Sequence, residues 1–62
     1  MKRVNLHCQQ YKEDVLIVDK EDDLVILSIF SDYHRTISSV KLNSEQIEYL
    51  IELLSKELEV VN

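Results

Sequence analysis

Hydrophobic and polar positions alternate with a period of two over most of the chain, then switch to the helical period near residue 43. Between Met1 and Gln10, Val4, Leu6 and Cys8 fall on one side and Asn5, His7 and Gln9 on the other. This is the pattern of a half-buried strand at a sheet edge. The runs Val15-Leu16-Ile17-Val18 and Leu24-Val25-Ile26-Leu27-Ser28-Ile29-Phe30 flank a short acidic link. Both are rich in β-branched residues, too short for helices and apolar on both alternating faces, as expected of a central hairpin. Thr36–Leu42 resumes the alternation, with Ile37, Ser39 and Lys41 opposite Ser38, Val40 and Leu42.

The period then changes. Asn43 is a good N-cap, and Gln46 stands where its side chain can reach back in a capping box. Leu42 and Ile47 occupy the positions of a hydrophobic staple. Ile47, Leu50, Ile51, Leu54, Leu58 and Val61 recur at helical spacing as one stripe. Tyr49, Leu53 and Val60 lie outside it as a second apolar strip.

The pattern predicts strands over about residues 3–9, 15–19, 24–30 and 36–42 and a helix over about 44–60. The fold class is α+β, ββββα: a small antiparallel β-meander of three to four strands with one C-terminal amphipathic helix packed on one face. Residues 1–62 make a single domain.

Composition makes that fold precarious. Chains of 62 residues bury only about 60% of their unfolded surface. Ordering the residues costs roughly 90 kcal/mol, which a small core barely offsets. One cysteine excludes an intrachain disulfide, so oligomerisation is the remaining reinforcement. The doubly apolar hairpin needs two covers, and one helix supplies one. About five large aliphatics are left over, worth roughly 8–15 kcal/mol when covered. A homo-oligomer follows, a dimer by preference. Leu24, Ile26 and Phe30 on one hairpin phase, with Tyr49, Leu53 and Val60 on the helix, are the candidate dimer interface.

The net charge of −5, from twelve acidic against seven scattered basic residues, disfavours direct nucleic-acid binding. A partner protein with a basic surface suits it better. No run approaches membrane-spanning length, and Asn5, His7 and Gln9-Gln10 interrupt any secretory leader, so the expectation is a cytoplasmic protein off the membrane. Glycine and proline are absent, which rules out glycine-rich phosphate loops and nucleophile elbows. Tight hairpins needing positive φ would have to use Asp or Asn, which favours longer turns.

Candidate chemistry is sparse. Asp19, Glu21 and Asp23 alternate as in a calcium loop, but the required glycine and glutamate positions hold Leu24 and Phe30. Ser31-Asp32-Tyr33-His34 contains triad residue types in one loop, without the separate elements a triad needs. As strand neighbours, His7 and Cys8 would face opposite ways, Cys8 as a buried structural thiol. No catalytic, metal or cofactor site emerges, and none is expected. Tyr33, His34 and Arg35 are the candidate partner contact, Tyr and Arg being enriched at binding hot spots. Glu48 and Glu52 on the acidic helix face join them as docking residues for a basic protein.

The junction Val40-Lys41-Leu42-Asn43-Ser44-Glu45-Gln46-Ile47-Glu48-Tyr49-Leu50 resembles one frequent in short bacteriophage and prophage proteins. There a strand ends in Leu, then comes a capping Ser, Thr or Asn, then Glu-Gln or Glu-Glu opens a terminal amphipathic helix. The resemblance implies a small accessory protein of a phage or mobile element that dimerises and binds a host protein, inhibitors of host defence systems among them. It carries over no functional residues, and the lack of glycine departs from many such sequences. The leading expectation is a non-enzymatic homodimer that inhibits or modulates a host protein. The alternatives are an assembly subunit covered by a different chain, and a small nucleic-acid-binding regulator.

Overall fold

The computed structural model describes residues 3–61, with side chains described through residue 58. Strands β1 (Val4–His7), β2 (Val15–Glu21), β3 (Leu24–Ser31) and β4 (Thr36–Leu42) precede one helix, α1 (Ser44–Val61). The strands form one antiparallel sheet in the order β1-β2-β3-β4, each pairing with its predecessor in sequence. The fold is α+β, a ββββα meander.

The turns depart from expectation. β2 runs on to Glu21, so only Asp22 and Asp23 separate it from β3. The absence of glycine did not force a longer turn: Asp22 takes φ 53° itself. A short side chain that hydrogen-bonds locally makes Asp one of the few residues to visit that region readily. Arg35, closing the β3–β4 turn, also has φ 53° without that advantage. A left-handed conformation costs such a residue roughly 1–2 kcal/mol.

β1 is shorter than its alternation suggests. It stops at His7, and Cys8 belongs to the turn, where its N–H donates to the Asp14 carbonyl at 2.9 Å. The thiol is therefore half-buried and outside the strand. Its Sγ accepts the N–H groups of Gln10 at 3.4 Å and Tyr11 at 3.3 Å. The His7 Nδ1–H donates to the Lys12 carbonyl at 2.9 Å and ties the strand end to the same turn.

Only Asn43 separates β4 from α1, and it caps the helix as predicted. The Gln46 N–H donates to Asn43 Oδ1 at 2.9 Å, and the Asn43 N–H donates to Gln46 Oε1 at 3.0 Å. Two otherwise orphaned donors are satisfied reciprocally, which fixes the angle at which the helix leaves the sheet.

The helix meets the sheet at β3. Of its described side chains only Ile47 and Leu50 are half-buried; from Ile51 to Leu58 all are exposed. Among the described residues no hydrophobic side chain is buried, and Ser28 is the one buried residue. The radius of gyration is 13.1 Å, against about 10.5 Å for a compact chain of this length. The accessible surface is 5577 Å², against about 4,200 Å² for a folded protein of this mass. The described residues have regular secondary structure and no closed core.

Candidate functional site

Strand register decides what each face of the sheet offers, because residues directly opposite in an antiparallel pair share a face. One face carries the row Val4–Val18–Leu27–Val40 across all four strands, and beside it Leu6–Leu16–Ile29–Ser38. A third row, Lys20–Val25–Leu42, holds that face's one charged residue among the paired positions. Val4, Leu6, Ile29 and Val40 are all exposed, Ile29 to 60%.

The opposite face is broken by polar groups. Its middle row is Asn5–Ile17–Ser28–Ser39, where the two serine hydroxyls hydrogen-bond at 2.8 Å. Asp19, Ile26 and Lys41 form the next row, and Lys41 pairs with Glu21 at 3.1 Å. Leu24, Ile26 and Phe30, the hairpin members of the sequence-derived interface, lie on this second face and are half-buried. The more continuous and more exposed aliphatic surface is the other one. Residue pattern alone could not separate the two, because their contrast arises from which β4 and β1 residues line up with which hairpin phase.

On the helix, Tyr49 and Leu53 are exposed, as the second apolar strip requires, but so are Ile51, Leu54 and Leu58 of the main stripe. The Val60 side chain lies outside the described residues. Glu48 and Glu52 are exposed, and Glu52 pairs with Lys56 at 3.4 Å along the helix.

The β1–β2 and β3–β4 turns lie at the same end of the sheet, where His7, Val15, Phe30 and Ile37 align. The Asp32 N–H donates to Asp14 Oδ1 at 3.3 Å and joins them. Between them is an open cleft of about 550 Å³ lined by Tyr11, Glu13, Asp14, Ser31, Asp32, Tyr33 and His34. Tyr33 is 89% exposed, and its ring meets His34 edge-on, with centroids 4.9 Å apart. His34 and Arg35 are exposed too. The Ser31 hydroxyl accepts the main-chain N–H of His34 at 3.4 Å, so its link to residue 34 is to the backbone and not the imidazole. The cleft is lined by aromatic edges and carboxylates. It does not show a nucleophile held by a base.

Tyr33, His34 and Arg35 are thus brought together at one end, joined by Tyr11, Glu13 and Asp14, which sequence reading did not single out. Glu48 and Glu52 are not brought to them: β4 carries the chain away, and α1 begins at the opposite end of the sheet, beside Val25. Among the described residues no helix is long and apolar enough to cross a membrane, and no three His, Cys, Asp or Glu side chains are grouped to hold a metal ion. No family model, curated protein or solved structure matches the chain.

Proposed function

We propose that the protein is a non-enzymatic protein-binding module that works as a homodimer, an accessory protein of a phage or mobile element that inhibits or modulates a host protein. The observation that carries this reading is the missing core. A chain whose described apolar side chains all retain contact with solvent leaves its main stabilising term unused until another protein surface covers it. The resemblance at the β4–α1 junction supports the accessory-protein part. The turn-end cleft supports a separate contact for the host protein. It presents Tyr33 and His34, with Arg35 exposed next in the chain, and the acidic helix flank is a second contact for a basic surface.

Affinity capture from host lysate, with Tyr33→Ala beside the parent protein, tests the reading. Tyr33 packs too little to matter for folding, so the variant retains its fold and loses the captured protein. Identical capture by both chains would remove the cleft from the interface. Capture of nothing by either, at physiological salt, would remove the host-binding function.

An assembly subunit covered by a different chain is the second reading, favoured by the same exposed face. Such a protein expressed alone aggregates or stays partly unfolded, where the homodimer is monodisperse.

A further inference from the structure

The two apolar surfaces that this chain leaves open match one another. One is the sheet face bearing Leu6, Ile29 and Val40; the other is the α1 stripe of Ile51, Leu54 and Leu58, all exposed. The chain's own helix does not close over that face. The reciprocal Asn43–Gln46 cap sets its exit angle one residue after β4, and from Ile51 to Leu58 its side chains stay in solvent.

We infer that a second copy of this chain covers the sheet, each α1 lying across the aliphatic sheet face of its partner in a reciprocal, two-fold exchange. This rests on the homodimer reading of the preceding section and specifies its interface. Three observations carry it.

The first is area. The surface of 5577 Å² exceeds that of a compact protein of this mass by about 1,400 Å². Two copies burying that excess lose about 2,800 Å² in all, which falls within the range of obligate homodimers and well above that of transient contacts.

The second is length. The eighteen residues of α1 extend about 27 Å, and the eight residues of β3 extend about 27 Å. One helix can therefore run the length of the partner's central strand.

The third is charge. Lys20 is the one charged residue among the paired positions of the sheet face, and Glu57 flanks the helix stripe, so the two surfaces carry opposite signs. Exchange of an element between identical chains closes after two copies and leaves no unpaired stripe to recruit a third.

The test uses the full chain carrying Cys8→Ser, so that each further cysteine is unique. Chains with Ile29→Cys and chains with Leu54→Cys are mixed, refolded together and treated with a short bis-maleimide. Light scattering gives the mass before treatment. A dimer that yields the mixed Ile29→Cys/Leu54→Cys adduct in excess over adducts between like chains is the expected result. A dimer that yields only Ile29→Cys pairs would overturn the exchange, since the sheets would then face each other, while the homodimer reading survived. A folded species at the 7.3 kDa chain mass under micromolar conditions would overturn both.

A second pair of variants covers a failure to fold. Leu54→Lys and Ile29→Asp each disrupt both contacts of their own homodimer. Mixed one to one, they leave one contact as Leu on Ile and make the other a charge pair, so helical circular dichroism returns. A mixture as unfolded as its components would overturn the exchange.

Discussion

Ile29→Ala separates a shared core from a self-sufficient one. Ile29 sits in the inner strand β3, opposite Leu16 and Ser38, and is 60% exposed in the single chain. Truncation removes three carbons, worth about 2.4 kcal/mol when fully withdrawn from water. Only the exposed share changes environment on association, so each site contributes about 1.5 kcal/mol, and two symmetric sites about 3 kcal/mol per dimer. A loss of that size weakens the dimer roughly 150-fold. The assay is urea unfolding followed by circular dichroism at chain concentrations a hundredfold apart, with light scattering at both ends. When folding and association are coupled, the midpoint rises with concentration. Ile29→Ala should lower it at every concentration while preserving that dependence. If Ile29 faces water in the working protein, the midpoint is independent of concentration and the variant lies within about 0.5 kcal/mol of the parent. That pair of results would refute the shared core.

The remaining predictions probe single features. Leu27→Asp places a carboxylate in the all-aliphatic row and should both dissociate and unfold the protein. Ile26→Asp, on the other face between Asp19 and Lys41, should cost some stability and still leave a folded dimer by the same light-scattering and dichroism measurements. Arg35→Gly relieves the left-handed backbone and should raise stability by about 0.5–1 kcal/mol, read as a higher urea midpoint at unchanged slope. Asn43→Ala removes the cap acceptor for the Gln46 N–H and should cost about 1 kcal/mol. Because the cap also sets where α1 points, it should weaken the dimer beyond that figure.

What could be read from the chain in advance follows the reach of each interaction. The Asn43–Gln46 cap spans three residues and involves side chains whose geometry is stereotyped, so pattern alone located it and the helix start. The alternation of Thr36–Leu42 likewise placed β4 and assigned its two sides. Cys8 falls outside β1 although alternation continues to Gln9, because the Asp14 N–H donates to the Tyr11 carbonyl and does not return the Cys8 N–H bond, which ends the ladder. The Asp22 turn was missed because a glycine-free chain has few residues that tolerate positive φ, and which of five polar residues would do so depends on register. Register is the common cause of the remaining gaps. It aligned Ser28 with Ser39 and Leu27 with Val40, and so decided which hairpin face was polar. It also set the two turn ends side by side, adding Tyr11, Glu13 and Asp14 to the cleft beside Tyr33. Neither contact has a local signature.

The unequal faces bear on why association would stop at two. A sheet apolar on both sides, with an unpartnered helix, could stack without limit, and long exposed strand edges invite further pairing. Here the second face puts Asn5, Asp19, Ser39 and Lys41 where a stacked sheet would have to bury them. Burying such groups without new partners costs about 1–3 kcal/mol each, enough to cancel the gain from the few aliphatics between them. Of the two edges, β1 offers only four residues, and β4 alternates serine and lysine with its apolar positions. In the proposed dimer, one face would drive association while the other resists it. The double substitution Ser28→Val with Ser39→Val should lower that resistance, leaving the aliphatic face intact and making the protein's scattering mass climb with concentration. A mass that stays at two chains in this variant would show that the polar row has no part in limiting assembly.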